Sequence, residues 1–394
     1  MTDLLIESRP DLLLDADRAE QGDVRTEEML VNLGPQHPAT HGVLRVVLRT
    51  DGEMVLEAVP HIGYLHRCAE KIGENLAPYQ YIPYTDRMDY LAGMNNNLAF
   101  ALAVESLAGM EVPKRAQAIR VVFAELNRIA SHLVSMGAYG LDMGAFTPFL
   151  YAFRERERIL DMFEAACGAR LTYSYITIGG VTHDLPERFI DVCREFLDYF
   201  EPKVVEYNNL LSYNHIFIKR TANVGVISAA DAVAWGLTGP CLRGSGIRWD
   251  LRKVQPDCGY EQFEFDVPIG QGAKGQVGDC WDRYFVRICE MQQSVRIIRQ
   301  ALDLLSGTPG EFRSKAGKTL KLPDDEVYYE IENPRGQLGF FVKGDGSAIP
   351  ARVKARGPSF CNLSITNHVC RDCLLADVAA IVGSIDVVMG EVDR

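Results

Sequence analysis

The chain has 394 residues, 47% of them hydrophobic and 24% charged, with a formal net charge of -12; this is the balance of a soluble globular protein with core enough for two or three domains or for one continuous body. An acidic surplus of that size excludes nucleic-acid binding and electrostatic adhesion to anionic lipid, which both need clustered Lys and Arg. No apolar run reaches the roughly 18 residues of a spanning helix, and the acidic start "MTDLLIESRPDLLLDADRAEQGDVR" lacks the positive region of a signal peptide, so the chain is expected on the cytoplasmic side, held at any membrane by another protein.

Residues 1–28 read as a poorly ordered lead-in. They run into "NLGPQHPATHGVLRVV" (32–47), where two histidines stand four apart among Gly, Pro and Thr. Histidines at that spacing chelate one ion when they share a helix face, but Pro38 and Gly42 oppose a helix and no base Glu accompanies them. A phosphate loop would open a helix, whereas this turn opens a strand. What remains is a loop whose imidazoles either cap backbone groups or act as proton donors.

Alternation in "VLRVVLRTDGEMVLEAVP" (43–60) around Asp51-Gly52 predicts a hairpin. The next stretch, 64–97, mixes Tyr64, Tyr79, Tyr81, Tyr84 and Tyr90 with His66, Glu70, Lys71, Arg87 and Asp89, a composition that suits a cleft or the rim of an interface. Helical spacing follows over 95–109 and again after Pro113, where Ile119, Val122, Phe123, Leu126, Ile129 and Leu133 form an i, i+3, i+4 stripe. His132 falls near the end of that helix and reads alone as a satisfied core histidine, and Asp142 falls in a Gly-rich turn. Further helices are predicted from Thr147-Pro148 to Gly168, over about 185–209 and over about 279–305, which together imply a helical bundle. Past Thr308 the pattern returns to strands with turns at Asn333-Pro334-Arg335-Gly336 and Gly344-Asp345-Gly346. The end reads as a short helix and an irregular tail.

The fold class is therefore α+β: a 29–75 hairpin region, a 76–307 helical core and a 308–394 ribbon and tail, following the 1–28 lead-in. Ten cysteines without a secretory signal read as reduced thiols. The one close pair, Cys370 and Cys373 in "CRDC", lacks a second pair to complete the four ligands of a zinc or iron–sulfur site, so the two read as incidental.

Taken together, "NLGPQHPATHGVLR", "GYLHRCAEKIGEN", "YTDRMDYL", "GAFTPFLYAFRERE", "YITIGGV", "LRGSGIRWDLRK" and "SIDVVMGEVDR" resemble, in order and from about residue 29 to the last, the D-subunit family of respiratory complex I, the proton-pumping NADH:quinone oxidoreductases. The chain reads as unfused, without the C subunit that precedes it in some members. The resemblance implies a fold related to the large subunit of nickel–iron hydrogenases. There, two CxxC pairs hold the metal; here the corresponding stretches read "TDRMDY" and "SIDVVMG", with no cysteine, so no metal is expected.

The resemblance further implies that the former metal cavity is the head of a quinone chamber. His41 and Tyr90 match the quinone head-group ligands, Asp142 matches the acidic partner of that histidine, and His37 stands behind His41. Electrons would come from an iron–sulfur cluster in the neighbouring B subunit. Arg87 fits an electropositive residue beside that cluster, with Arg67 and His132 as weaker candidates for the same role. The implied partners are the B, C and I subunits and the membrane-embedded H subunit, with the chain peripheral to the cell membrane on its cytoplasmic side.

Two departures bear on the chemistry. Many members carry His and Arg where "RLTYSYITIGG" has Thr172 and Thr177; losing both should lower the cluster potential and its pH dependence, which hints at menaquinone rather than ubiquinone. Val387 stands where many have Pro, which leaves the electron donor open among NADH, ferredoxin and deazaflavin. A different class of reading is a metal-free scaffold that only bridges the peripheral and membrane arms. A nickel-binding relative is a third.

Overall fold

Asp51-Gly52 turns the chain between two strands, with Gly52 at the positive φ (57°) such a turn demands. The computed structural model describes residues 28–35, 42–314 and 320–394; the lead-in therefore lies almost wholly outside the described residues. β1 (Glu28–Leu33), β2 (Arg45–Asp51) and β3 (Met54–His61) form one antiparallel sheet in that order. β1 makes three strands where a two-stranded hairpin was expected. Val46, Leu48 and Thr50 of β2 face inward and alternate with half-exposed Arg45, Val47 and Arg49.

Two short helices, α1 (Ala69–Gly73) and α2 (Pro78–Thr85), lead to α3 (Gly93–Ala108), α4 (Lys114–Asp142) and α5 (Thr147–Cys167). All six stripe residues of α4 are fully buried, and so is most of its circumference. It is the axis of the molecule, so polar side chains on it are buried too.

α4 also runs further than its sequence pattern indicates, through Gly137 and Gly140. A Cβ on Gly137 would lie 3.1 Å from the Phe149 backbone and one on Gly140 3.3 Å from the Ala145 carbonyl, so these glycines admit α5 rather than break α4. Asp142 is consequently the last residue of a helix, not part of a turn, and His132 lies in mid-helix.

The short ribbon β4 (Ile176–Thr177) and β5 (Gly180–Val181) precedes α6 (Phe189–Tyr207), which continues into a π-helical turn at Asn208–Ser212. Small helices follow: α7 (His215–Thr221), α8 (Ala229–Ala234), α9 (Gly239–Gly244) and α10 (Leu251–Val254). α11 (Cys280–Gly307), capped by Asp279, lies along α4 and buries Trp281, Ile288, Met291, Val295, Ile298 and Leu302.

β6 (Glu326–Asn333), β7 (Gly336–Lys343) and β8 (Arg352–Arg356) form a second antiparallel sheet packed on α3. Four helices complete the chain: α12 (Pro358–Leu363), α13 (Thr366–Cys370), α14 (Leu375–Ile385) and α15 (Met389–Asp393). The expected irregular tail is thus a second helix, and it is buried from end to end. Mixed helix and sheet with the long helices at the centre agrees with the α+β reading.

Candidate functional site

The segments 85–90 and 384–390 lie almost 300 positions apart in sequence and meet inside the protein. Arg335, at the β6–β7 turn, joins them. Its guanidinium stands 2.9 Å from Asp89 and 3.5 Å from Asp386, donates from Nη1 to Ser131 Oγ at 2.7 Å and from Nε to the Asp386 carbonyl at 3.1 Å. From α11, Arg287 donates to the carbonyls of Ser384 (2.9 Å) and Ile385 (3.2 Å) and sits 3.5 Å from Asp386, while Arg283 donates to Ser384 Oγ at 3.0 Å. Asp386 ends α14 in the left-handed region, φ 59°. Two buried carboxylates are thus matched by guanidinium groups that are themselves tied to backbone, as buried charge requires.

Gly390 lies directly against this loop. A Cβ there would be 2.5 Å from the Met88 carbonyl and 3.1 Å from Cδ1 of Tyr90, so only glycine admits the approach. The Tyr90 ring is half-buried, and burial, opposed by Arg335 and Arg67, holds its hydroxyl above the usual phenol range. It is a protonated donor at any physiological pH. Next along, Glu391 is fully buried: Oε2 accepts from the Ser359 amide at 2.9 Å, Oε1 finds no partner among the described residues, and burial pushes the carboxyl up to about 7.

Arg67 and Arg87 form the rim. Arg67 donates to the Arg87 carbonyl at 2.6 Å and, through its amide, to the Arg394 carbonyl at 3.0 Å; Arg87 bonds back to the Pro83 carbonyl, and both side chains reach solvent. A cleft of about 400 Å³ opens beside them, lined among others by Gly63, His66, Cys68, Phe360 and Arg394. The 171–175 stretch folds onto the same loop: the amide and hydroxyl of Ser174 both donate to Asp86, at 2.9 and 2.8 Å. Thr177 contributes its carbonyl to Arg120, at 2.7 Å, rather than its side chain to the rim.

Asp142 approaches from the far end of the 383–390 segment. Its Oδ2 would lie 2.8 Å from a Cβ on Gly383, and its carboxylate makes no hydrogen bond or ion pair among the described residues. Desolvation alone pushes it up to about 7. α14 therefore touches Asp142 near its end, and the chain reaches Tyr90 seven residues later. His37 and His41 lie outside the described residues.

His132 is not brought to this site. It is wholly buried, with Nε2 2.9 Å from Glu290, and burial keeps it below the usual imidazole range despite that carboxylate. Glu290 belongs to a closed ion network. Arg243 bonds Glu290 and Glu332, each at 2.8 Å; Arg252 bonds Asp250 at 2.6 Å and Glu125 at 3.2 Å; and Arg128 lies 3.2 Å from Glu125. Burial raises Glu125, but Arg128 and Arg252 outweigh it and hold the carboxyl at about 2. The motif "LRGSGIRWDLRK" is the source of Arg243, Asp250 and Arg252, so its charges hold the core together.

Sequence reasoning missed Arg335, Asp386, Asp89 and Glu391 as partners. "NPRG" carries only a turn signal, and a turn arginine gives no sign of being buried. Among the described residues no group of three or more His, Cys, Asp and Glu side chains could hold a metal ion, and no helix is long and apolar enough to cross a membrane.

Residues 142–319 and 311–394 match the family described as respiratory-chain NADH dehydrogenase, 49 Kd subunit. The chain is 51% identical over 374 residues to the D subunit of the NADH-quinone oxidoreductase of Chlorobium luteolum, covering 94% of this chain and 95% of that protein. It is 52% identical over 370 residues to the D subunit of the Desulforamulus reducens enzyme, with 94% and 99% covered. Against a D subunit of the Cytophaga hutchinsonii enzyme the identity is 48% over 397 residues, covering 99% and 100%.

Proposed function

The chain belongs to the family of the 49 kDa subunit of respiratory-chain NADH dehydrogenase, and on that premise we propose that, with a B-type iron–sulfur subunit, it forms the site where a complex I-type enzyme reduces quinone. It is a subunit of an oxidoreductase complex. Two-electron reduction of a quinone also consumes two protons, and the reduced oxygens are strong bases, so the site needs donors at the head group. Tyr90 supplies one, and His41 supplies the other.

A phenol is a poor acid toward water and a competent one toward a reduced quinone oxygen. Asp142 holds and orients the His41 imidazole and stabilises it when charged, with His37 behind. A cluster in the partner would supply the electrons, and Arg87 is the residue of this chain whose positive charge would favour its reduced state; Arg67 fixes Arg87 through its carbonyl. His132, bound to Glu290 within the core, takes no direct part at this site.

In this reading the hydrogenase-like cavity holds no metal. Asp89 and Asp386 of the two segments face guanidinium groups, a donor set unsuited to a cation. The quinone is menaquinone or ubiquinone, and the chain works at the cell membrane as a peripheral subunit beside the B, C, I and H subunits, with coupling to proton translocation.

The observation that carries the proposal is the protonated, half-buried Tyr90 ring, pinned by Gly390 at the meeting of 85–90 and 384–390 and backed by the Arg335 ion pairs. A bridging scaffold has no use for a phenol so held. The test is quinone-reductase turnover of the membrane complex carrying Tyr90→Phe. Loss of about 100-fold, the scale of one proton donor, with KM changed far less, is expected; unchanged turnover would overturn the assignment.

A further inference from the structure

The CRDC pair folds into a feature that the site does not use. α13 ends at Cys370, Asp372 takes the left-handed region (φ 62°), and the Cys373 amide donates back to the Cys370 carbonyl at 3.4 Å. A turn closed in this way brings its first and fourth Cα atoms within about 7 Å, and disulfides span Cα separations of about 4.4 to 6.8 Å. Within this turn each thiol shifts the ionisation of the other, Cys373 downward and Cys370 upward. Cys370 is fully buried, whereas Cys373 reaches solvent.

The turn is also anchored on both sides. Val55 donates to the Cys373 carbonyl at 2.9 Å, Asp372 to the Val55 carbonyl at 2.8 Å, and Leu375, the first residue of α14, to the Glu53 carbonyl at 2.8 Å. The pair thus sits where the β2–β3 hairpin meets the helix that leads to Asp386 and Gly390.

We propose that Cys370 and Cys373 are a modification site: an intrachain dithiol that hydroperoxides convert reversibly to a disulfide. Cys373 is the attacking group, because it is reachable and because the neighbouring Cys370 thiol lowers it below the ordinary range, while that pairing and burial raise Cys370. The Cys373 thiolate attacks a peroxide oxygen and the O–O bond breaks; the departing oxygen takes a proton and leaves as water or alcohol, and Cys373 becomes a sulfenic acid. The Cys370 sulfur then attacks the Cys373 sulfur. The S–S bond forms, the S–O bond breaks, and hydroxide leaves with the Cys370 proton as water. Each thiol has lost one electron and one proton, and the peroxide is reduced by two electrons. Reduction by a small dithiol reverses the change. An intracellular disulfide of this kind is typically transient and redox-sensing.

The experiment uses the intact membrane complex, treated with hydrogen peroxide, quenched with an alkylating reagent under denaturing conditions and digested with chymotrypsin, which spares Arg371. The peptide carrying both cysteines should lose both labels and the mass of two hydrogens, and dithiothreitol should restore the labels. Cys370→Ser should leave Cys373 gaining oxygen instead, and Cys373→Ser should leave Cys370 labelled after peroxide. Retention of both labels at peroxide levels that oxidise exposed Cys68, or gain of oxygen at Cys373 in the unaltered protein, would overturn the proposal.

Discussion

Arg335 and Asp89 are 246 positions apart in sequence and 2.9 Å apart in the fold, both shut off from solvent. Asp386 shares the same guanidinium at 3.5 Å. Removing one partner of a buried pair leaves an uncompensated charge and costs about 3 to 5 kcal/mol. Arg335→Met should therefore destabilise the chain by that order, read from the midpoint of guanidinium denaturation, and Arg335→Lys should recover part of it. A change near zero would show the cluster to be energetically idle.

Gly390→Ala tests how the tail positions Tyr90. On helix propensity alone alanine is better by roughly 0.5 to 1 kcal/mol, but its Cβ would meet the Met88 carbonyl at 2.5 Å and the Tyr90 ring at 3.1 Å. The ring must move. Misplacement of a reacting group by about 1 Å can cost on the order of 100-fold, so turnover per assembled complex should fall steeply. Turnover at the native level would mean that Tyr90 does not need its present position.

Asp142→Asn should separate stability from activity. The folded carboxyl is pushed up to about 7 by desolvation, above its unfolded value near 3.9. Its contribution to stability is therefore full below the unfolded value and is lost as pH rises through about 7. Asparagine carries no such penalty, so the variant should unfold at a higher temperature than the native protein near pH 8 and show no such advantage near pH 4. Quinone reduction should fall at the same time, because the imidazole partner is gone. A variant both less stable near pH 8 and fully active would contradict both statements.

Glu391→Gln carries the same sign from a deeper position. Glutamine can still accept from the Ser359 amide, as Oε2 does now, and it removes a carboxyl that burial pushes up to about 7. The difference in unfolding temperature between variant and native should move in the variant's favour as pH rises through about 7. A difference independent of pH would show that the carboxyl ionises alike in the folded and the unfolded chain.

Much of the secondary structure was legible because it follows local rules. Asp51-Gly52 named its hairpin, and the Ile119 to Leu133 stripe named α4. Elements whose reason lies elsewhere in the molecule were not. β1 exists because Leu33, Val31 and Met29 find Val46, Leu48 and Thr50 as partners, and α15 exists because Gly390 lets it lie on the Met88 carbonyl. Both elements carry weak local signals.

By itself, then, the sequence determined the family, the α+β class, the long helices and the residue types available for proton donation, since motif order and periodicity are properties of the chain. Only the tertiary structure decided which charges are neighbours. It paired Arg335 with Asp89 and Asp386, bound His132 to Glu290, set Asp142 against Gly383 and closed CRDC into a turn. The physical reason is burial. A carboxylate, imidazole or thiol has its ordinary chemistry until packing removes water from it, and the packing comes from segments hundreds of residues away that no local pattern names.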